Sequence, residues 1–306
     1  MRWRGNRQSR NVEDRRGMNV SGIGASGRGG GGMLRLLPVI YRFLGFKGTA
    51  IAVVGVVGYG LLSGNLTQIL GGGSFQDNAP RVSSQPVKQS ASEKEMVEFI
   101  SVILADTEDT WHQLFQMKGK QYQEPQLVLF RNKVKSGCGF GTAQMGPFYC
   151  PSDKKVYIDL SFYDDLRDRY KAPGDFAQAY VIAHEIGHHV QNLLGTSGKV
   201  HKEKQSLDAV EANQLSVKLE LQADCYAGIW ANQANRSRQL LESGDIEEGL
   251  KAASAIGDDR LQKQSQGYVN PDSFTHGSSK QRVRWFKTGL NKGTLSNCNT
   301  FAEQAL

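Results

Sequence analysis

Residues 184–188 read His-Glu-Ile-Gly-His within an amphipathic helical pattern, and this constrains the possible folds of the chain more than any other feature. The pattern runs from Phe176 to Leu194 behind Asp175 as a plausible N-cap and stops at Gly195. Ala177, Tyr180, Val181, Ile182, Ile186, Val190 and Leu193 supply its apolar face. Two histidines four apart lie on one face of such a helix, about one turn from each other. Their imidazoles can converge on one divalent metal while Glu185 faces the vacant side. Gly187 weakens the helix, which points to another element packed closely against it.

A catalytic zinc needs a third protein ligand and an open position for water. The next long helical pattern, Leu207 to about Asn235, carries Glu220-Leu221-Gln222-Ala223-Asp224, two acids on one face. Glu220 can complete a His184, His188, Glu220 set. Asp224, one turn later, can accept the second N–H of a metal-bound histidine and fix its tautomer. The competing reading makes both acids surface residues, but Leu219, Leu221, Ala223 and Cys225 around them suggest burial. His276, in THGSSKQR, can form a helix cap with Gly277 and Ser278. His189 sits about 100° around the helix from His188 and belongs to packing or surface. His112 and His201 carry no motif and are read as solvent-facing.

HExxH followed by ExxxD is the pattern of the gluzincins, the thermolysin-like branch of zinc peptidases. The phrases GPFYCPSDKKVYIDLSF, GDFAQAYVIAHEIGHHVQNLLG and ELQADCYAG resemble the bacterial YpfJ-type neutral zinc metallopeptidases over nearly the whole chain. That resemblance implies His184, His188 and Glu220 as ligands of one Zn²⁺ per chain and Glu185 as the catalytic base. It also implies a peptide or protein substrate and a zincin fold, with an edge strand within Gly139–Cys150 bordering the cleft. Several gluzincins use a late His, sometimes followed by an Arg, to stabilise the oxyanion, so the resemblance also makes His276, with Arg282 or Arg284, a candidate catalytic donor beside its reading as a helix cap.

The expected class is α+β, a zincin-like domain over residues 92–306 with a small sheet, an active-site helix and a helical C-terminal part. Ser92 and Glu95 form a capping box, followed by Met96, Phe99, Ile100, Ile103, Thr107, Trp111, Leu114 and Phe115 at helical spacing. Gln126–Phe130 and the alternating Lys155–Phe162 read as strands. Further helices are expected over Ile246–Ile256 and Ser279–Leu290.

Charge is uneven. Residues 1–47 hold ten Arg and Lys against Glu13 and Asp14, whereas the whole chain is only +7. Residues 48–76 carry no charge at all. This reads as a basic disordered cytoplasmic tail (1–47), a transmembrane helix contacting lipid (48–70) and a linker (71–91). The alternatives are a buried helix or a removed leader for the apolar segment, and a nucleic-acid-binding role for the tail. Specific nucleic-acid binding is not expected, because a membrane flank explains the basic residues. The catalytic domain is then expected on the periplasmic or extracellular side of a bacterial inner membrane. Four cysteines allow three pairings. In that oxidising compartment Cys138–Cys150 and Cys225–Cys298 are the natural bridges; the alternative is four reduced thiols. A rival function is a zinc-stabilised, weakly active binding or assembly protein on a peptidase scaffold. The intact Glu185 argues against it.

Overall fold

Helix α1 (Ala91–Gln116) starts at a capping box. Ser90 accepts the backbone N–H of Glu93, whose carboxylate in turn accepts the N–H of Ser90. The expected box was Ser92 with Glu95, two residues later. Both serines have a glutamate three residues on, and the earlier pair adds residues to the helix. The apolar stripe is as expected, with Phe99, Ile100, Ile103, Trp111, Leu114 and Phe115 buried. The computed structural model describes residues 1–18, 87 and 89–302, which belong to one unit formed by Met1–Met18 and Ser84–Leu306.

Strands β1 (Val12–Asp14), β2 (Gln126–Phe130), β5 (Phe148–Cys150) and β6 (Lys155–Asp159) form one sheet in the order β1-β2-β6-β5. The first three spatial neighbours are parallel, and β5 runs antiparallel at the edge. Among the described residues, strands β3 (Lys133–Ser136) and β4 (Gly139–Thr142) pair only with each other, as a hairpin. The strand expected over residues 155–162 ends at Asp159. The Asp159 carboxylate accepts the N–H groups of Asn132 and Ser161, turning the chain into α2 (Ser161–Asp168).

Helices α3 (Asp175–Leu193), α4 (Thr196–Lys204), α5 (Ala209–Arg238), α6 (Asp245–Ala255), α7 (Asp258–Gln266) and α8 (Ser279–Lys292) complete the α+β unit. Gly174 is the N-cap of α3, and Asp175, expected there, is its first helical residue. Close backbone approach holds α3, α5 and α8 together. A Cβ at Gly187 would lie 2.9 Å from the Ala223 carbonyl, which accounts for the glycine within the motif. Gly289 of α8 is tighter still, where a Cβ would fall 1.9 Å from the Cys225 carbonyl. Two disulfides join Cys138 to Cys150 and Cys225 to Cys298.

The amino-terminal stretch corrects the expected domain scheme. Residues 1–18 are an ordered part of the unit: Val12 of β1 pairs with Leu127 of β2, and Met1 and Trp3 are buried. The Trp3 ring packs edge-on against Phe99 at 5.3 Å. Among the described residues, Arg2, Arg4, Arg7, Arg15 and Arg16, which helped suggest a cytoplasmic tail, meet carboxylates. Arg7 bonds Glu108 at 3.1 Å and Asp109 at 2.7 Å, and buried Arg16 bonds Asp14 at 2.7 Å. The positive-inside rule treats such charges as free, and here they are neutralised within the fold. Because β1 and β2 share a sheet, residues 1–18 and 89–302 lie on one side of any bilayer. A single crossing between them, with the amino terminus cytoplasmic and the domain outside, is incompatible with that pairing. The span expected at 48–70, the tail over 19–47 and most of the 71–91 linker fall outside the described residues; Ala91 already belongs to α1. Among the described residues no helix is long and apolar enough to cross a membrane.

Candidate metal centre

Tyr180, His184, His188 and Gln191 follow one another at helical intervals down one stripe of α3. Across from them, α5 presents Glu220 and Asp224. His184 Nε2 lies 3.1 Å from Glu220 Oε2, and His188 Nε2 lies 3.4 Å from Glu220 Oε1. Tetrahedral zinc with ligand bonds of about 2.0–2.1 Å places its donor atoms about 3.3 Å apart. These spacings match that geometry, and all three donors lie within 4.8 Å of one another.

The outer ring nitrogens are occupied. His184 Nδ1 lies 2.8 Å from Asp224 Oδ1, and His188 Nδ1 lies 2.9 Å from Gln191 Oε1. Each acceptor holds a proton on Nδ1, which makes Nε2 the nitrogen that would ligate a metal once its own proton is displaced. Gln191 is itself anchored, donating to the Leu219 carbonyl at 2.6 Å. Asp224 is fully buried and accepts from Tyr180 Oη at 2.5 Å and from Arg282 Nε and Nη2, both at 2.9 Å. Arg282 is therefore the buried counter-charge of Asp224. This geometry does not place it as the oxyanion partner suggested by the resemblance, and Arg284 is exposed beside Trp285.

Electrostatics favour a cation here. Burial disfavours the charged His184 ring, but Asp224 and Glu220 outweigh it and push the pKa up to about 10. Burial likewise opposes ionisation of Glu220, and the His188 and His184 rings hold it well below the usual carboxylate range. Asp224 falls to about 2, because Arg282 and His184 outweigh its burial. With Asp224 neutralised by Arg282, the Glu220 charge and two imidazole lone pairs face one point. That donor set fits a divalent zinc.

The centre opens into a cleft of about 1050 Å³ lined in part by Tyr149, Phe162, Glu185 and His276. Glu185 is 7% exposed at its wall. His276 lies on the loop before α8, exposed, with Nδ1 3.2 Å from Asp258 Oδ1. Asp258 Oδ2 also accepts the backbone N–H groups of Thr275, His276 and Gly277, which fixes the loop. The hydrogen bond that the ring donates to the Asp258 carboxylate raises the His276 pKa. The cap reading holds as well, since Ser278 caps α8 with Gln281.

The remaining histidines separate cleanly. His189 is fully buried, faces β5 rather than the metal stripe, and is pushed down to about 4 chiefly by burial. His112 is exposed and pairs with Glu124 at 2.8 Å; His201 is exposed at the cleft rim. A second acidic group, Asp175, Asp245 and Glu248, lies at the amino terminus, whose Met1 ammonium is 3.0 Å from Asp175 and 3.4 Å from Asp245. Sequence reasoning missed Tyr180 and Gln191, although both share the helical stripe of the motif. It also missed Asp258, and for that residue the sequence carries no signal.

Residues 1–301 match the family described as "Putative neutral zinc metallopeptidase". The chain is 50% identical over 303 residues to a protein of Escherichia coli K12 named "Uncharacterized protein YpfJ", covering 99% of both. An uncharacterized protein of Mycobacterium tuberculosis H37Rv is 44% identical over 191 residues, 59% of this chain and 64% of that one. No solved structure matches.

Proposed function

This chain belongs to that neutral zinc metallopeptidase family, and from that premise we propose that it hydrolyses peptide bonds, with His184, His188 and Glu220 holding one zinc. The observation that carries the reading is the donor geometry. Three ligand groups converge within 4.8 Å of one another beside the cleft-lining Glu185. Bound zinc would supply Lewis acidity, lowering the pKa of an attacking water and polarising the scissile carbonyl.

The chain's own residues do the rest. Glu185 takes the proton of the attacking water and passes it to the leaving amine. His276, oriented through Nδ1 by Asp258, directs Nε2 at the developing oxyanion. Asp224, locked by Tyr180 and Arg282, keeps His184 in the ligating tautomer, as Gln191 does for His188. An extended peptide adds to the outer edge of β5, the last strand of the sheet among the described residues, whose Phe148 and Tyr149 line the cleft. Both disulfides support a site of action outside the cytoplasm, at the periplasmic or outer face.

The test is metal dependence of turnover on a fluorogenic peptide library. Chelation should abolish cleavage, and one equivalent of zinc should restore it. Zinc-loaded protein that cleaves no peptide but holds one partner tightly in the cleft would replace this reading with the binding-scaffold one.

A further inference from the structure

Glu185, His189 and Asn192 share a second stripe of α3, rotated from the metal stripe. His189 Nε2 lies 2.6 Å from the backbone carbonyl of Gln123. A carbonyl only accepts, so Nε2 carries the proton and Nδ1 of the neutral ring is an acceptor. The Tyr149 hydroxyl sits 3.0 Å from that Nδ1 and 2.9 Å from Asn192 Nδ2. The phenol therefore donates to His189 and accepts from Asn192. With its one proton committed, Tyr149 is no donor to substrate, although it lines the cleft. Its neighbours in β5 are held elsewhere: Phe148 stacks on Tyr157 at 4.8 Å, and Cys150 is bridged to Cys138. Tyr149 is thus the side chain through which this strand is hydrogen-bonded to α3. Its ring also meets His189 edge-on at 5.4 Å.

We propose that His189 and Asn192, acting through Tyr149, are positioning residues that fix the outer edge of β5 relative to Glu185 and so govern binding of the peptide segment that pairs with that edge. This rests on the peptidase reading above. The pins and the general base occupy one stripe of a buried helix, so the strand's position is tied to the reacting centre.

The experiment compares wild type with Tyr149→Phe, His189→Leu and His189→Gln, as zinc-loaded full-length protein, on a tripeptide and a nonapeptide. Tyr149→Phe keeps the ring and removes only the hydroxyl. It should raise KM for the nonapeptide roughly fivefold to tenfold, the effect of one or two lost hydrogen bonds, with kcat and tripeptide KM within about twofold. Zinc content should stay at one per chain. His189→Leu should behave alike, and His189→Gln, which keeps one donor and one acceptor, should recover most of the loss. An unchanged nonapeptide KM, or equal losses in kcat and KM at both lengths, would overturn the proposal. Amide hydrogen exchange over residues 148–150 gives a readout independent of turnover, expected to quicken roughly tenfold in Tyr149→Phe. Unchanged exchange also overturns the proposal. Should wild type cleave no peptide, the peptidase reading falls and exchange alone decides whether the pin exists.

Discussion

His184 and His189 stand five residues apart on the same helix and both are buried, yet Asp224 and Glu220 overcome burial to push the first pKa up to about 10, while burial pushes the second down to about 4. The difference lies in the wall each one faces. His184 faces helices α5 and α8, where buried Asp224 and Glu220 supply negative charge and backbones touch at Gly187 and Gly289. His189 faces strand β5, where its partners are a carbonyl and a phenol. The helical wall is an electrostatic trap for a cation. The strand wall is a neutral hydrogen-bonded surface, tethered by a disulfide and bordered by exposed Phe140 and Met145. Chemistry and substrate placement are thereby assigned to opposite sides of one cleft.

The largest effect should come from breaking the helical wall. Arg282→Met strips buried Asp224 of its counter-charge and should cost about 3–5 kcal/mol in a urea melt, with weakened zinc binding. A loss under about 1 kcal/mol would mean the ion pair does not organise this wall.

On the strand wall, replacing Cys138 and Cys150 by serine opens a short loop and should cost about 2–3 kcal/mol. Zinc content should be unchanged, because no ligand touches that bridge. Zinc loss in the double variant would show that the two walls are not independent.

The pH dependence separates them at smaller scale. In metal-free protein the His184 pKa is raised, so its ring keeps a proton that zinc must displace. Zinc affinity should therefore rise with pH, about tenfold per unit between pH 7 and 9, measured by competition with a chromophoric chelator. The same proton stabilises the metal-free fold fully below the ordinary histidine pKa, and that contribution disappears as pH rises through about 10. His189 has the opposite sign. Its lowered pKa means the unfolded chain takes up the proton first, so its contribution to stability declines from about pH 6.5 down to about 4. Zinc affinity flat across that range would contradict the charge assigned to His184.

The helical wall was the legible one. His184, His188, Glu220 and Asp224 repeat at helical spacing, and the structure brings all four together. Glycine inside the motif announced the close packing against Ala223. Arg282 was noticed but given another task, since nothing in a linear sequence says which buried acid an arginine from a distant helix will meet. The strand wall was only outlined: an edge was expected within Gly139–Cys150, but three-residue β5 is too short to show alternation. The least legible part was the amino terminus. Val12–Asp14 is a three-residue strand in an arginine-rich stretch, and Leu127 opposite Val12, Glu108 opposite Arg7 and Phe99 against Trp3 all lie about a hundred residues away in the sequence. Over residues 1–18 the charge pattern looked like a membrane flank because local composition cannot show that Arg4 and Arg7 meet Glu95 and Glu108 of α1.

The most direct test of the central claim is Glu185→Gln, assayed for zinc and for turnover in one preparation. The substitution keeps side-chain shape and leaves His184, His188 and Glu220 in place. The account expects one zinc per chain, an unchanged fold, and kcat/KM reduced by about 10³ or more, because the proton acceptor of the attacking water is gone. Cleavage at the wild-type rate with zinc bound would contradict it.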